Sequence, residues 1–127
     1  MTVQHASSGG GRYRHTRVHL VDLALWCLDS PSVTTVTSEL RAGGDRLGDS
    51  DQVEDFAAAT LTLSGGEIIR LICSWRLHAG CDAEIGADFF GTKGGASFKN
   101  VGGSFFDFTT ARLSGTSRQT LVVPPDD

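Results

Sequence analysis

The apolar positions of this chain change period once, from helical to alternating. Between Gly9 and Leu28 (GGGRYRHTRVHLVDLALWCL), Val18, Val21, Leu25 and Leu28 fall on one arc at about 100° per residue, the helical spacing. His15, His19, Asp22 and Trp26 fall on a second, narrow arc. Leu20, Ala24 and Cys27 make much of the remainder apolar, which predicts a helix over Arg12–Leu28 buried on several sides. Asp29-Ser30-Pro31 ends it with turn chemistry and a proline that cannot continue a helix. Two histidines and an aspartate on a buried helix need a reason to be there, so this polar stripe is the first candidate site.

Beyond Pro31 the pattern is that of strands. Val33–Leu40 (VTTVTSEL) is β-branched. Asp55–Leu63 alternates, with Ala57, Ala59, Leu61 and Leu63 on one face. Ile68–Leu77 alternates too, with Ile69, Leu71, Cys73, Trp75 and Leu77 sharing a face, and the Gly65-Gly66 turn joins the two as a hairpin. Further strands are predicted at Asp82–Phe90, Ala96–Asn100, Phe105–Leu113 and Gln119–Val123. Residues 1–8 read as a flexible lead-in, Arg41–Gln52 as a mobile surface loop and 9–127 as a single domain. A helix followed by a strand meander predicts an α+β fold, an open and mostly antiparallel sheet with the helix packed on one face. With one convincing helix, the other face is left uncovered, which predicts a homo-oligomer through the sheet.

Composition narrows the function classes. The chain has 127 residues, 39% hydrophobic and 20% charged, as in an ordinary globular domain with its own core. A net charge of −4 disfavours a general nucleic-acid surface, and the only basic cluster is Arg12, Arg14 and Arg17. The apolar run Val18–Leu28 is broken by Asp22 and is too short to span a bilayer, so no membrane partner is expected. Residues 1–11 are polar and glycine-rich, unlike a signal peptide, and Met1 before such a lead-in suits a true start. Cys27, Cys73 and Cys81 form no CxxC pair and sit in apolar patterns, reading as small buried hydrophobes of a reducing cytoplasm.

GGGRYRHTRVHLVDLALWCL resembles the glycine-led helix, with its histidine, aspartate and tryptophan, that opens the C-terminal domain of the Gfo/Idh/MocA oxidoreductases, such as glucose-fructose oxidoreductase and inositol dehydrogenase. VEDFAAATLTLSGGEIIRLICSW resembles that family's paired strands ending in Ser-Trp, and FFGTKGGASF its G-T-x-G strand-turn-strand; order and spacing agree over most of residues 9–123. The resemblance implies an open antiparallel sheet with helices on one face and a subunit interface on the other. It also implies an ancestral NAD(P)-dependent oxidation or reduction of a sugar or polyol.

Two departures qualify that implication. No G-x-G-x-x-G fingerprint of a Rossmann nucleotide site is present, and the family's Glu-Lys-Pro motif is missing, the only lysines being Lys93 and Lys99. Hydride chemistry by this polypeptide alone is therefore not expected; it binds no cofactor itself, and NAD(P) would come with a partner carrying a Rossmann domain. The family's histidine matches His19 and its later acid Asp22, but the aspartate one turn before the histidine is His15 and the intervening glycine is Arg17.

The stripe His15, His19 and Asp22 spans i, i+4 and i+3 steps, so the three side chains can share a cavity. His19 and His15 can serve as general acid and base, with Asp22 orienting His19, favouring its charged form, and His15 held more neutral by the helix N-terminus and the arginines. They read equally well as inherited pocket residues with no remaining role. As a metal site the stripe lacks a fourth ligand unless His5, His78 or Glu84 comes close, and it ranks below acid/base work. Arg12, Arg14 and Arg17 can receive a phosphate or carboxylate, or simply solvate the helix start. Trp26, Arg76 and His78 are candidates for the substrate pocket and its rim. Phe89, Phe90, Phe98, Phe105, Phe106 and Phe108 are predicted to lie on strands as core or interface.

Three functions follow for a domain with a sugar-like ligand pocket centred on His19. One is a small cofactor-independent isomerase, lyase or cyclase using His15 and His19. Another is the substrate half of a split oxidoreductase. The third is a non-catalytic scaffold that uses the sheet face.

Overall fold

The alternating run after Asp55 forms the expected hairpin. In it β4 (Phe56–Leu63) and β5 (Ile68–Ser74) pair antiparallel with Leu61 opposite Ile69, and Gly66 turns at φ +92°. The computed structural model describes residues 2–7, 16–48 and 52–125. Over these residues there is one helix, α1 (Thr16–Cys27), and one sheet of nine strands. The remaining strands are β1 (Thr2–Ser7), β2 (Val33–Ala42), β3 (Asp45–Arg46), β6 (Ala83–Phe90), β7 (Gly95–Asn100), β8 (Phe108–Ser114) and β9 (Ser117–Val122). Their order is β3-β2-β4-β5-β1-β6-β7-β8-β9, antiparallel throughout except where β1 runs parallel to β5. The arrangement is α+β, mostly antiparallel sheet with one short helix.

Side-chain alternation builds the core. Leu61 and Leu63 on β4, Ile69 on β5 and Ala83, Ile85 and Ala87 on β6 are buried in one cluster with Leu20 and Ala24 of α1. Ala24, Ala83 and Ala87 are nearly inaccessible, and such small side chains allow close backbone approach. Val21, Leu25, Leu28, Leu71, Phe89, Phe105 and Phe108 pack around that cluster.

Four expectations are corrected. Residues 2–7 are not a flexible lead-in: they form β1, in the interior of the sheet, with Val3 opposite both Leu71 and Ala87. TVQHAS carries no run of alternating large apolar residues, and its place is set by the backbone edges of β5 and β6, far away in sequence. The helix is not buried on several sides. Only Leu20 and Ala24 are fully buried among its described side chains, while His19, Asp22, Trp26 and Cys27 are exposed. Its expected start at Arg12 lies outside the described residues. Of the cysteines only Cys73 is buried; Cys27 and Cys81 are exposed. Part of the expected loop 41–52 is ordered as β3, which turns back on β2 through Gly43 and Gly44 at φ +62° and +91°.

The helix ends where Asp29-Ser30-Pro31 predicts. Asp29 and Ser30 adopt φ +65° and +54°, so that Asp29 N donates to Trp26 O at 3.1 Å and Ser30 N to Leu25 O at 2.7 Å. A left-handed L-residue costs roughly 1–2 kcal/mol, against roughly 0.5–1 kcal/mol of extra chain entropy lost by glycine. Asp29→Gly is therefore expected to stabilise the domain by about 0.5–1 kcal/mol. Equilibrium urea unfolding checks this, and a lower midpoint would show that the Asp29 side chain matters more than its backbone.

Candidate functional site

The ends of the strands decide which candidate residues can meet. Cys27 and Leu28 line a cavity of about 650 Å³ with Ile68, which begins β5, and Phe89 and Phe90, which end β6. The C-terminal end of α1 thus lies at the edge of the sheet where β5 starts. His19, eight residues earlier, is roughly 12 Å back along the helix axis, toward the edge where β1 and β5 finish. At that second edge lie the 75–82 connection, the start of β6 and the turn between β7 and β8.

His19, Asp22 and Trp26 share one outward face of α1, all exposed, with Trp26 at 74%. The arc read from the sequence is present, but as an exposed stripe, so burial no longer supplies the argument for function. Arg17 lies in the first turn of the helix. His15, Arg12 and Arg14 lie outside the described residues, and with them the pairing of His15 with His19. His19, Asp22 and Trp26 line neither the cavity at Cys27 nor those beside Asp55 and Glu84.

Arg76 and His78 follow β5 on the His19 edge, and both are exposed. Arg76 Nη1 lies 3.7 Å from Asp55 Oδ2, and the same oxygen accepts from Gly43 N at 2.8 Å. Asp55 also accepts from Trp75 N through its carbonyl at 3.2 Å and donates its own N–H to Arg41 O at 2.9 Å. Asp55 therefore ties the start of β4 to the turn after β2 and to the end of β5. These residues enclose a cavity of about 460 Å³ that Trp75 and Arg76 help to line. In the sequence Asp55 is marked only as one of the two carboxylates, Glu54-Asp55, immediately before an apolar alternating run. Of the residues weighed as metal ligands, Glu84 lines a small cavity of about 80 Å³ on the opposite face from the core, beside the Lys99–Asp88 pair. Among the described residues, no three His, Cys, Asp or Glu side chains are grouped to hold a metal ion.

The strand expected from Phe105 begins later, at Phe108. Phe105 and Phe108 pack on the core cluster, and Phe98 stacks on Phe108 with ring centroids 4.5 Å apart. Phe106, expected on a strand as core or interface, sits in the turn with 90% of its surface exposed. Gly102 and Gly103 at φ +59° and +77° make the turn, which displaces Phe106 from the strand alternation.

A family model of the GFO/IDH/MocA C-terminal domain matches residues 2–97. The chain belongs to this family. Solved structures share its fold at low identity. A UDP-N-acetylglucosamine 3-dehydrogenase from Acidithiobacillus ferrooxidans is 17% identical, with a TM-score of 0.70 over 99% of this chain and 39% of that one. An aldose-aldose oxidoreductase from Caulobacter crescentus, complexed with glycerol, is 14% identical, with a TM-score of 0.64 over 99% and 39%. A levoglucosan dehydrogenase in complex with NADH and L-sorbose is 15% identical, with a TM-score of 0.62 over 98% and 39%. The chain thus spans about two fifths of the length of these relatives. No curated protein sequence matches it. Among the described residues, no helix is long and apolar enough to cross a membrane.

Proposed function

We propose that this domain is the substrate side of an NAD(P)-dependent sugar or polyol oxidoreductase, with a ligand pocket centred on His19. The observation that carries the reading is the exposed stripe of His19, Asp22 and Trp26 on α1, within the stretch that matches the family. An exposed tryptophan beside two ionisable groups is an unusual way to finish a solvent face, and it suits a face that closes against another domain or a ligand. In that setting the His19 imidazole accepts the proton of a substrate hydroxyl, and Asp22, one turn on, orients the ring. Arg17 at the helix start brings a donor for the ligand's oxygens, and Arg76 and His78 rim the pocket from the end of β5.

NAD(P) supplies hydride transfer in such enzymes, and this chain offers it no fitting cradle. The G-x-G-x-x-G spacing is absent from the whole sequence, so a partner domain or subunit carries the nucleotide. In this reading α1 covers one face of the sheet, and the opposite face joins a second copy of the chain, in the cytoplasm.

Native mass spectrometry of the protein captured from its own cells tests the assembly. A hetero-complex with a nucleotide-binding subunit is the expected result, and a bare homo-oligomer would favour a cofactor-independent protein. Added NAD(P) is expected to leave the melting temperature of the isolated chain unchanged; a saturable upward shift would overturn the assignment of the nucleotide to a partner.

A further inference from the structure

The turn between β7 and β8 is held more firmly than its exposure would require. Val101 N donates to Asp107 O at 2.9 Å and Ser104 N to Val101 O at 3.0 Å. Ser104 Oγ accepts from Phe106 N and Asp107 N, both at 3.1 Å, and donates to Asp107 Oδ2 at 2.7 Å. Asn100 Nδ2 donates to Ser104 O at 2.8 Å and to Ala83 O at 2.9 Å, which ties the turn to the start of β6. The turn also crosses the 75–82 connection so closely that a Cβ at Gly103 would meet Cys81 Cβ at 2.9 Å. A network of this kind fixes one conformation, and the side chain it presents to solvent is the ring of Phe106.

An exposed aromatic on a preorganised turn binds without ordering the backbone first. What it binds follows from its surroundings. Phe105 and Phe108 face the core, so apart from Val101 at the base of the turn its sequence neighbours are Gly102, Gly103, Ser104 and Asp107. That is one flat apolar face set among polar groups, far short of the contiguous patch a protein interface needs. Asp107 uses Oδ2 for Ser104 and has Oδ1 free among the described residues. The turn stands on the same edge of the sheet as Arg76 and His78, the edge toward which α1 runs back from Cys27 to His19. It lies two strands from the end of β1, or roughly 10 Å at the usual strand spacing.

We propose that Phe106 is a stacking platform for the C–H face of a sugar or polyol ring, with Asp107 Oδ1 accepting from one of the ring hydroxyls. This rests on the sugar reading of the His19 site and adds to it a specificity residue from the far side of β6.

The test is an amide NMR titration of the chain with glucose and with myo-inositol, following His19 and residues 101–107 separately. The expected result is that at least one ligand shifts both groups. Phe106→Ala and Phe106→Leu should weaken binding about tenfold, or roughly 1.4 kcal/mol, near the upper end of what an aromatic contact contributes beyond its apolar area, while Phe106→Tyr retains it. Leucine is the informative variant, since it keeps apolar surface but not a flat face. Shifts at His19 alone, with Phe106→Ala binding normally, would overturn the platform and leave the His19 pocket standing. Shifts in the turn alone would keep the platform and remove the His19 pocket. No response from either group to either ligand would overturn both. The 90% exposure of Phe106 makes misfolding of these variants unexpected, and unchanged melting temperatures check that.

Discussion

Asn100→Ala is expected to destabilise the domain by about 3 kcal/mol. The β6–β7 ladder ends at the pair Gly86 and Lys99, and beyond it the Asn100 side chain takes over the backbone's work. Its Oδ1 accepts from Ile85 N at 2.9 Å, and its Nδ2 donates to Ala83 O at 2.9 Å and Ser104 O at 2.8 Å. The amide has one workable orientation, because two carbonyls face the nitrogen and one N–H faces the oxygen. Alanine removes the side-chain partner of Ile85 N and Ser104 O and leaves Ala83 O with only the weak Cys81 Sγ donor at 3.3 Å, at roughly 1–3 kcal/mol for each buried group, and the half-buried site sets the sum at the low end. For a domain of this size, about 3 kcal/mol is of order 10 °C in melting temperature.

Asn100→Asp sharpens the test. It keeps an acceptor for Ile85 N but turns an acceptor toward two carbonyl oxygens, so it is expected to cost at least as much as alanine despite its near-identical shape. An alanine variant within 1 kcal/mol of the parent would mean that water replaces the amide at all three positions, and would refute the clamp. Because Asn100 also fixes Ser104, both variants should speed amide exchange across residues 101–107, well away from the core.

The parts of this fold legible in the sequence are those whose signal is local. Leu61, Leu63, Ile69, Ile85 and Ala87 alternate within their own strands, and both the strands and their buried faces follow from that. The Gly65-Gly66 hairpin and the Asp29-Ser30-Pro31 stop are equally local. β1 was invisible because what holds it is remote: Thr2–Ser7 is selected by pairing with Arg70–Ser74 and Ala83–Asp88, across at least 60 residues of chain. The helix arc was legible as geometry but not as exposure. Apolar residues at Leu20, Ala24 and Cys27 beside the Val18–Leu28 arc suggest burial on several sides, yet among the described side chains full burial reaches only Leu20 and Ala24, the two that enter the buried cluster with β4, β5 and β6. Phe106 was misplaced for a related reason. In GGSFFDF, strand alternation and turn chemistry overlap, and the Ser104-x-x-Asp107 spacing that decides for a turn carries less weight in a propensity reading than two adjacent phenylalanines.

His19→Ala is expected to abolish ligand binding while leaving the fold intact, and the exposure of the side chain is what makes the two outcomes separable. A buried histidine would confound them, since its loss would open a cavity. His19 is exposed, makes no contribution to the buried cluster, and sits in a helix where alanine is the better former, so stability should change by less than about 0.5 kcal/mol. A hydrogen bond from a charged or polarised group is worth roughly 1.5–3 kcal/mol, so affinity for a sugar or polyol should fall about tenfold to a hundredfold or beyond detection. In an assembly competent for turnover, loss of a positioned acid or base should lower kcat by about 10²–10⁴. Asp22→Asn is expected to cost less, because it acts by orienting the imidazole, and its loss should vanish in the His19→Ala background. Additive losses would mean that Asp22 touches the ligand independently. Unchanged binding and turnover in His19→Ala would remove the pocket from this helix and return the stripe to an inherited surface, with the sheet face as the remaining seat of function.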